Sequence, residues 1–363
     1  MDYTIFTIGS HSALDVCEGA KKEGMKNAVI CQRGREFPYL SYYKTRKRGE
    51  QKIGVVDEVI LVEKFKDICS KTTLDYMKKK NPIFVPNRSF SVYVGYEKIE
   101  NEFEIPIFGN RKLLRAEERT EKNNQYDLLR KAKINFPKQI SNPKKIDSLS
   151  LVKVNEAKRK YERAFFTASS YEEYVKKSEE MINSGKITRA DLEKATIEEF
   201  VIGAHFNFNF FYSPINEELE LLGTDTRRQT TIDGFLRMPA DVQLEILKSH
   251  QPRNIEVGHI ACTVRESLLQ NVFEQAEKFI KTVAKEYRPG IIGPFALQGA
   301  LIERDGKEEF TTFDVSFRMP GSPGTRFTPY SGYLFQEPVS FGRRIAMEIK
   351  DAGIKNKMDL ITT

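Results

Sequence analysis

The chain has 363 residues, 40% of them hydrophobic and 11% aromatic, which gives ample length for a buried core and excludes a disordered polar chain. Its net charge of +7, from 58 Lys and Arg against 51 Asp and Glu, suits an anionic ligand such as a nucleotide and only weakly suggests nucleic acid. No apolar run reaches the ~18 residues of a membrane span, the start MDYTIFTIGSHSAL has no signal-peptide pattern, and Cys17, Cys31, Cys69 and Cys262 form no CxxC pair. The expectation is a cytoplasmic protein without a sequence-evident zinc site or a disulfide framework.

In chain order, residues 3–8 (YTIFTI) are short, β-branched and aromatic, and predict a buried strand. Helical spacing runs over 12–23, with Gly24 as a stop signal. Further strands are expected at 27–31, 58–62 and 83–85. Strand and helix in alternation argue a parallel α/β sheet, whose ligands sit at the carboxyl ends of its strands. Residues 9–12, 32–36 and 86–89 converge there. The basic run at 44–52 (KTRKRGEQK) reads as a solvated loop. Residues 110–145, dense in charge, read as exposed helices joining two domains or as a solvated linker. A strand, a charged loop and a second strand follow at 149–154 and 164–167, then an amphipathic helix at 171–184. Residues 198–212 alternate like one long strand. From Gly258 the chain returns to strands (HIACTV, FALQGALI, FTTFDVSFR) around a helix at 268–285, and a helix at 342–350 closes it.

There is no GxxxxGK[ST], no GxGxxG after a strand and no HExxH, so P-loop, dinucleotide-fold and zincin readings have no motif support. His11 stands beside a helix start, where free N–H groups attract anions; the plainer reading is a cap by Ser10 or Ser12 with His11 exposed. Arg88 and Ser89 in VPNRSF suit a phosphate, or make an ordinary turn. Gln298 and Asp314, on consecutive strands, are either cross-strand neighbours that meet a nucleotide-bound Mg²⁺ or two ordinary strand residues. Glu198 and Glu199 can meet an adenine amine and ribose hydroxyls, or are solvated surface.

These segments together resemble the archaeal formate-dependent synthetases of formylaminoimidazole carboxamide ribonucleotide, purine-biosynthesis members of the ATP-grasp superfamily. The likeness runs almost end to end and rests on GSHSALDVCEGAKKEG, AVICQRGRE, IFVPNRSF, IPIFGNRKLLR, EEFVIG, FYSPINEELELLG, TIDGFLRMPA, VRESLL, GPFALQ and FGRRIAMEIK in that order. It implies an α/β fold with a parallel α/β domain at 1–115 and an ATP-grasp domain at 116–363, divided into a small lid part at 116–202 and a large part at 203–363 with the metal site. It implies ATP and Mg²⁺ as cofactors, formate and aminoimidazole carboxamide ribonucleotide as substrates, no nucleic acid, no membrane, and a homo-oligomer. In the implied reaction ATP phosphorylates formate, and the ribonucleotide's amine takes the formyl group from formyl phosphate. Carried over by position, His11, Ser89 and His259 touch the ribonucleotide, and Lys153, Lys158, Glu198, Glu199, Val201 and Gln229 bind ATP. Gln298 and Asp314 hold the metal, and Lys158, Arg163 and Arg318 are catalytic.

Four departures from the family pattern stand out. The family's hairpin loop, of the type PGAKGGRGYF, wraps phosphate with backbone N–H groups; here NEAKRKYERAFF keeps Lys158 and Arg163 but has no glycine. An acid at the first metal position is Gln298, an acid before TIDG is Gln229, and an Asn near the ribonucleotide is His259. Three readings follow: a working formate-dependent ligase, an ATP-grasp ligase for another carboxylate and amine, or a non-catalytic purine-nucleotide binder.

Overall fold

The structure is a computed structural model and describes residues 3–154, 164–229, 232–250, 256–304 and 306–363. Lys158 and Arg163, expected at the phosphate loop, lie outside the described residues. Strands β1 (Thr4–Ile8), β2 (Lys26–Gln32), β3 (Arg46–Arg48), β4 (Gln51–Ile53), β5 (Glu58–Val62) and β6 (Pro82–Phe84) form the first third of the chain. β1, β2, β5 and β6 make the expected parallel sheet, in the order β5-β2-β1-β6. Every residue of β1 is buried, as a continuous β-branched and aromatic run requires in a sheet covered on both faces. The basic run is not a bare loop: β3 and β4 pair as a short exposed hairpin.

The first helix, Ala13–Lys22, ends at Glu23, and Gly24 takes φ +80°, where a Cβ would be strained. It packs against the C-terminal helix, Phe341–Ile354, at very close range. A Cβ at Gly19 would fall 2.2 Å from the Gly342 carbonyl oxygen, and one at Gly342 2.1 Å from that of Asp15. Buried Arg344 on the C-terminal helix holds Glu220 through two 2.7 Å bonds and Glu348 at 2.9 Å. The chain's end is stitched to the residues after β6 by bonds between Thr363 and Ile107 and from Gly109 to Ile361.

A second sheet of three antiparallel strands, in the order β8-β7-β9, comprises β7 (Ser150–Val154), β8 (Ala164–Ala168) and β9 (Thr196–Glu199). The helix Tyr171–Asn183 covers it, capped by Ser170, with Ser178 buried. The third sheet contains β10 (Ala204–Ser213), β11 (Glu218–Gln229), β12 (Glu256–Cys262), β13 (Gly293–Arg304) and β14 (Lys307–Ser316). It is antiparallel in the order β12-β11-β10-β13-β14. The helix Leu269–Glu286 covers one face, joining Phe279 to Phe208, Phe210, Phe295 and Phe310 in one core. With no Trp in the chain, the largest fully buried side chains are all phenylalanines.

Two expectations are corrected here. The alternating stretch at 198–212 is not one strand: β9 belongs to the small sheet and β10 to the large one, with 200–203 crossing between them. Alternation reports which residues face inward, and it persists when the chain passes from one sheet to another. The charged segment at 110–145 is not an exposed linker: Leu113, Leu114, Ala116, Glu117, Gln125, Tyr126, Leu128 and Leu129 are all buried. Among the described residues no helix is long and apolar enough to cross a membrane.

Candidate functional site

β1 ends in a turn that carries Ser10 and His11, and β6 leads not into an ordinary turn but, through the cap residue Asn87, into the helix Arg88–Val94, which Arg88 and Ser89 open. Asn87 ties the two segments together, donating to the Ile8 carbonyl at 3.0 Å and the Ser10 carbonyl at 3.2 Å. Ser89 Oγ donates to Ser10 Oγ at 2.7 Å. Ser12 does not cap the helix with its side chain; its hydroxyl donates to the Pro320 carbonyl at 2.6 Å, which pins the segment after β14 to this turn. His11 sits at φ +46°, a left-handed conformation that few non-glycine residues adopt. A Cβ added to Gly321 would lie 3.3 Å from His11 Nδ1 and 3.6 Å from His259 Nε2, so two predicted ligand residues from distant parts of the chain flank one glycine.

The two histidines have opposite electrostatics. His11 is exposed by surface area, as the plainer reading had it, yet desolvation by the protein atoms around its ring, then the charges of Arg318 and Arg88, push it down to about 4, so its ring is neutral at physiological pH. Burial also works against the His259 cation, but hydrogen bonds to Asp225 and Glu256 outweigh it and raise the ring to about 9. Its Nδ1 bonds Asp225, and its Nε2 lies 3.0 Å from Glu256 Oε1. Asp225 in turn accepts from Asn207 at 3.0 Å and Asn209 at 2.6 Å. β10 and β11 place these side chains on one face, because Asn207 stands opposite Asp225 in the register.

Beside the histidines, Glu117 organises a cationic pair. One carboxylate oxygen lies 3.3 Å from Arg88 Nη1 and 3.4 Å from Arg318 Nε, and the other accepts from the Phe317 backbone at 2.8 Å. Arg318 is only 15% exposed, and its partial burial holds the guanidinium lower than usual.

A second cluster lies between the small and large sheets. Lys153 Nζ pairs with Glu198 Oε1 at 2.5 Å, and Tyr126 bridges them, accepting from Lys153 at 2.8 Å and donating to Glu198 Oε2 at 2.6 Å. Burial pulls the Lys153 ammonium below its ordinary value, with Glu198 opposing. Both Glu198 carboxylate oxygens are thus engaged, by Lys153 and by Tyr126. Glu199 is engaged by Arg304 at 3.0 Å and by the Lys138 N–H at 3.3 Å. Gln229, at the end of β11, is half-buried and stands opposite Glu256.

Gln298 and Asp314 are direct neighbours across β13 and β14, next to a bulge. Both are engaged by arginines. Gln298 Oε1 accepts from Arg227 Nη2 at 2.5 Å, and Asp314 Oδ1 lies 3.3 Å from Arg119 Nη2. One carboxylate and one amide are a thin donor set, and among the described residues no group of three or more His, Cys, Asp or Glu could hold a metal ion. The residues present do not fit a metal held by protein ligands alone.

Sequence reasoning missed Glu117, Arg119, Gln125 and Tyr126, which cross the end of β14, and also Asn207, Asn209, Asp225, Arg227 and Glu256. Surface cavities of about 490 Å³ beside Lys26, Asp57 and Lys80 and about 320 Å³ beside Glu18, Arg326 and Arg343 lie elsewhere. The first is at the amino end of the parallel sheet, opposite the end where such sheets bind ligands.

A family model described as a domain of unknown function (DUF1297) matches residues 173–363, and one described as a protein of unknown function (DUF1246) matches residues 5–140. The chain is 39% identical over 362 residues to the 5-formaminoimidazole-4-carboxamide-1-(beta)-D-ribofuranosyl 5'-monophosphate synthetase of Methanopyrus kandleri, covering 100% of this chain and 95% of that protein. The crystal structure of the IMP biosynthesis protein PurP from Thermococcus kodakaraensis superposes with a TM-score of 0.72 at 29% identity, covering 99% of this chain and 100% of the other. The N5-carboxyaminoimidazole synthetase of Staphylococcus aureus, solved in complex with ADP, shares the fold at 13% identity and a TM-score of 0.58, with coverages of 88% and 71%. The architecture is thus the ATP-grasp fold preceded by a parallel α/β unit. The chain belongs to the family of 5-formaminoimidazole-4-carboxamide-1-(beta)-D-ribofuranosyl 5'-monophosphate synthetases.

Proposed function

We propose that the chain is an ATP- and formate-dependent ligase that formylates 5-aminoimidazole-4-carboxamide ribonucleotide by way of formyl phosphate. The observation that carries this reading is the meeting of His11 and His259 at Gly321, with Arg88 and Arg318, both held by Glu117, acting on His11 from separate parts of the chain. The names of full-length relatives support it.

In the reaction a formate oxygen attacks the γ-phosphorus and ADP leaves. The amine then attacks the formyl carbon, the carbon–oxygen bond breaks, and phosphate departs with that oxygen. Three anions must be held together, which calls for fixed positive charge. Arg88 and Arg318, oriented by Glu117, supply it beside the ribonucleotide. His11 is neutral beside two arginines and can accept the proton that the amine loses. Asp225 and Glu256 hold His259 as a cation that faces the same glycine. On the nucleotide side, Lys153, paired with Glu198 and bonded to Tyr126, is the cation assigned to phosphate, and the chain around Val201 lines the base. An Mg²⁺ ion would enter on the nucleotide's own phosphates, with Asp314 as the carboxylate to meet it. A homo-oligomer remains part of the proposal and is checked by sedimentation.

The test is to mix purified protein with ATP, Mg²⁺, formate and the ribonucleotide, omitting each in turn, and to follow product mass and ADP. Formylated product that needs all four supports the ligase. Folded protein that yields neither product nor ADP, yet binds ADP by calorimetry, is a nucleotide-binding protein and refutes it. Product with another carboxylate or amine in place of the named pair assigns a divergent ligase.

A further inference from the structure

The nucleotide-site reading above leaves Arg227 without a role, and the geometry around it is specific. Arg227 lies two residues beyond Asp225 on β11, so both side chains share the sheet face that carries Asn207, Gln298 and Asp314. β10 separates β11 from β13, and the Arg227 side chain reaches across it to bond Gln298 Oε1 at 2.5 Å. Its Nε lies 3.1 Å from Glu256 Oε2, which fixes the other end of the guanidinium. The side chain is partly open to the cleft and adds to the charge that Arg318 experiences.

A cation bound on Gln298 Oε1 would sit against this guanidinium, and the neutral amide offers no charge to offset the repulsion. A carboxylate there would attract an ion and the arginine alike. An amide instead orients the arginine without adding a second carboxylate to the Glu256 that already pairs with its Nε, so its Nη groups keep charge for another anion. We propose that Arg227 is a phosphate-binding residue of the nucleotide site, anchored by Gln298, and that its fixed charge replaces a protein-held metal ion at that position. The ligand is the terminal phosphate of a nucleoside di- or triphosphate, for which a guanidinium offers a planar fork of donors. Gln298 is then an anchor rather than a metal ligand. This inference rests on the nucleotide-site reading.

The test titrates ADP into the full chain by calorimetry with Mg²⁺ or with EDTA, and counts bound Mn²⁺ by electron paramagnetic resonance. The variants are Arg227→Gln, Arg227→Lys, Gln298→Ala, Gln298→Glu and Asp314→Ala, each checked for folding by circular dichroism. The wild type is expected to bind ADP in EDTA within about tenfold of its affinity in Mg²⁺, and Arg227→Gln to lose that metal-free binding by at least about tenfold. Arg227→Lys recovers part of it, Gln298→Ala leaves Mn²⁺ binding intact, and Gln298→Glu strengthens it. The inference is overturned if EDTA abolishes wild-type binding and Gln298→Ala loses Mn²⁺ as fully as Asp314→Ala. Equal metal-free binding by Arg227→Gln and wild type overturns it as well. Failure of folded wild type to bind ADP under either condition overturns the nucleotide-site reading itself, and this inference with it.

Discussion

Replacing Tyr126 by Phe removes one oxygen from the most enclosed charged contact of the site. That hydroxyl accepts from Lys153 at 2.8 Å and donates to Glu198 at 2.6 Å, and both partners are at most 4% exposed. A hydrogen bond to a charged group is worth about 1.5–3 kcal/mol, and a buried acceptor left unsatisfied costs its desolvation. The two bonds do not simply add, because Lys153 and Glu198 remain in contact at 2.5 Å. We expect a total loss of about 2–3 kcal/mol and, at roughly 2–4 °C per kcal/mol, a fall in melting temperature of about 4–12 °C. Bound ADP should weaken in parallel, because the Tyr126 hydroxyl holds Lys153 in place. A double-mutant cycle in ADP binding, with Glu198→Gln as the second change, should give a coupling energy above about 0.5 kcal/mol. A melting temperature within about 1 °C of wild type, with additive binding losses, would refute the bridging role assigned to Tyr126.

Further outcomes follow from the same contacts. Asp15 is buried with Gly342 N–H as a donor at 3.2 Å, and burial raises its carboxyl from 3.8 to about 6. The folded state then binds more protons across that window, so this group's contribution to stability falls as pH rises from about 4 to 6. Asp15→Asn, which keeps an acceptor for Gly342, should raise the urea midpoint at pH 7.5 by an amount worth about 1–3 kcal/mol and lose that advantage in acid; equal midpoints at both pH values would contradict the sign. His259 has the same sign of linkage in a higher window: its raised value of about 9 contributes stability in full below 6.5, lost as pH rises through 9, so His259→Gln should flatten the alkaline side of the stability profile. If His11 takes the amine's proton, activity should stay level from pH 8 down to 6 and fall only as the pH approaches 4, until the protein itself unfolds. Gly19→Ala forces a Cβ to 2.2 Å from the Gly342 carbonyl and should cost about 3 kcal/mol, measured by denaturant unfolding.

The sequence reports some of this site and hides the rest for identifiable reasons. Hydrophobic runs bounded by turns locate β1, β5 and the Leu269–Glu286 helix almost to the residue, because burial sets those patterns locally. The Gln298 and Asp314 pairing follows from two consecutive strands joined by a short turn. The break between β9 and β10 is invisible to alternation, since apolar residues recur at every second position straight across it, at Phe200, Ile202, Ala204, Phe206, Phe208 and Phe210. The segment at 110–145 reads as solvated because its charges are dense, yet Glu117 and Tyr126 are buried through partners hundreds or tens of residues away in Phe317, Arg318 and Glu198. No local pattern encodes those partners. The same holds for Asp225, whose role depends on Asn207, Asn209 and His259 arriving on neighbouring strands.

The most direct test of the account follows the oxygen atoms. Formate labelled with ¹⁸O at both positions is incubated with ATP, Mg²⁺, the ribonucleotide and the protein, and the phosphate released is analysed by mass spectrometry. A formyl phosphate route breaks the bond between the formyl carbon and the bridging oxygen, so the account predicts one ¹⁸O in each phosphate and one in each formyl group, with one ADP per product. Phosphate free of label alongside formylated product would contradict the acyl phosphate route, and folded protein that makes no product at all would contradict the ligase itself.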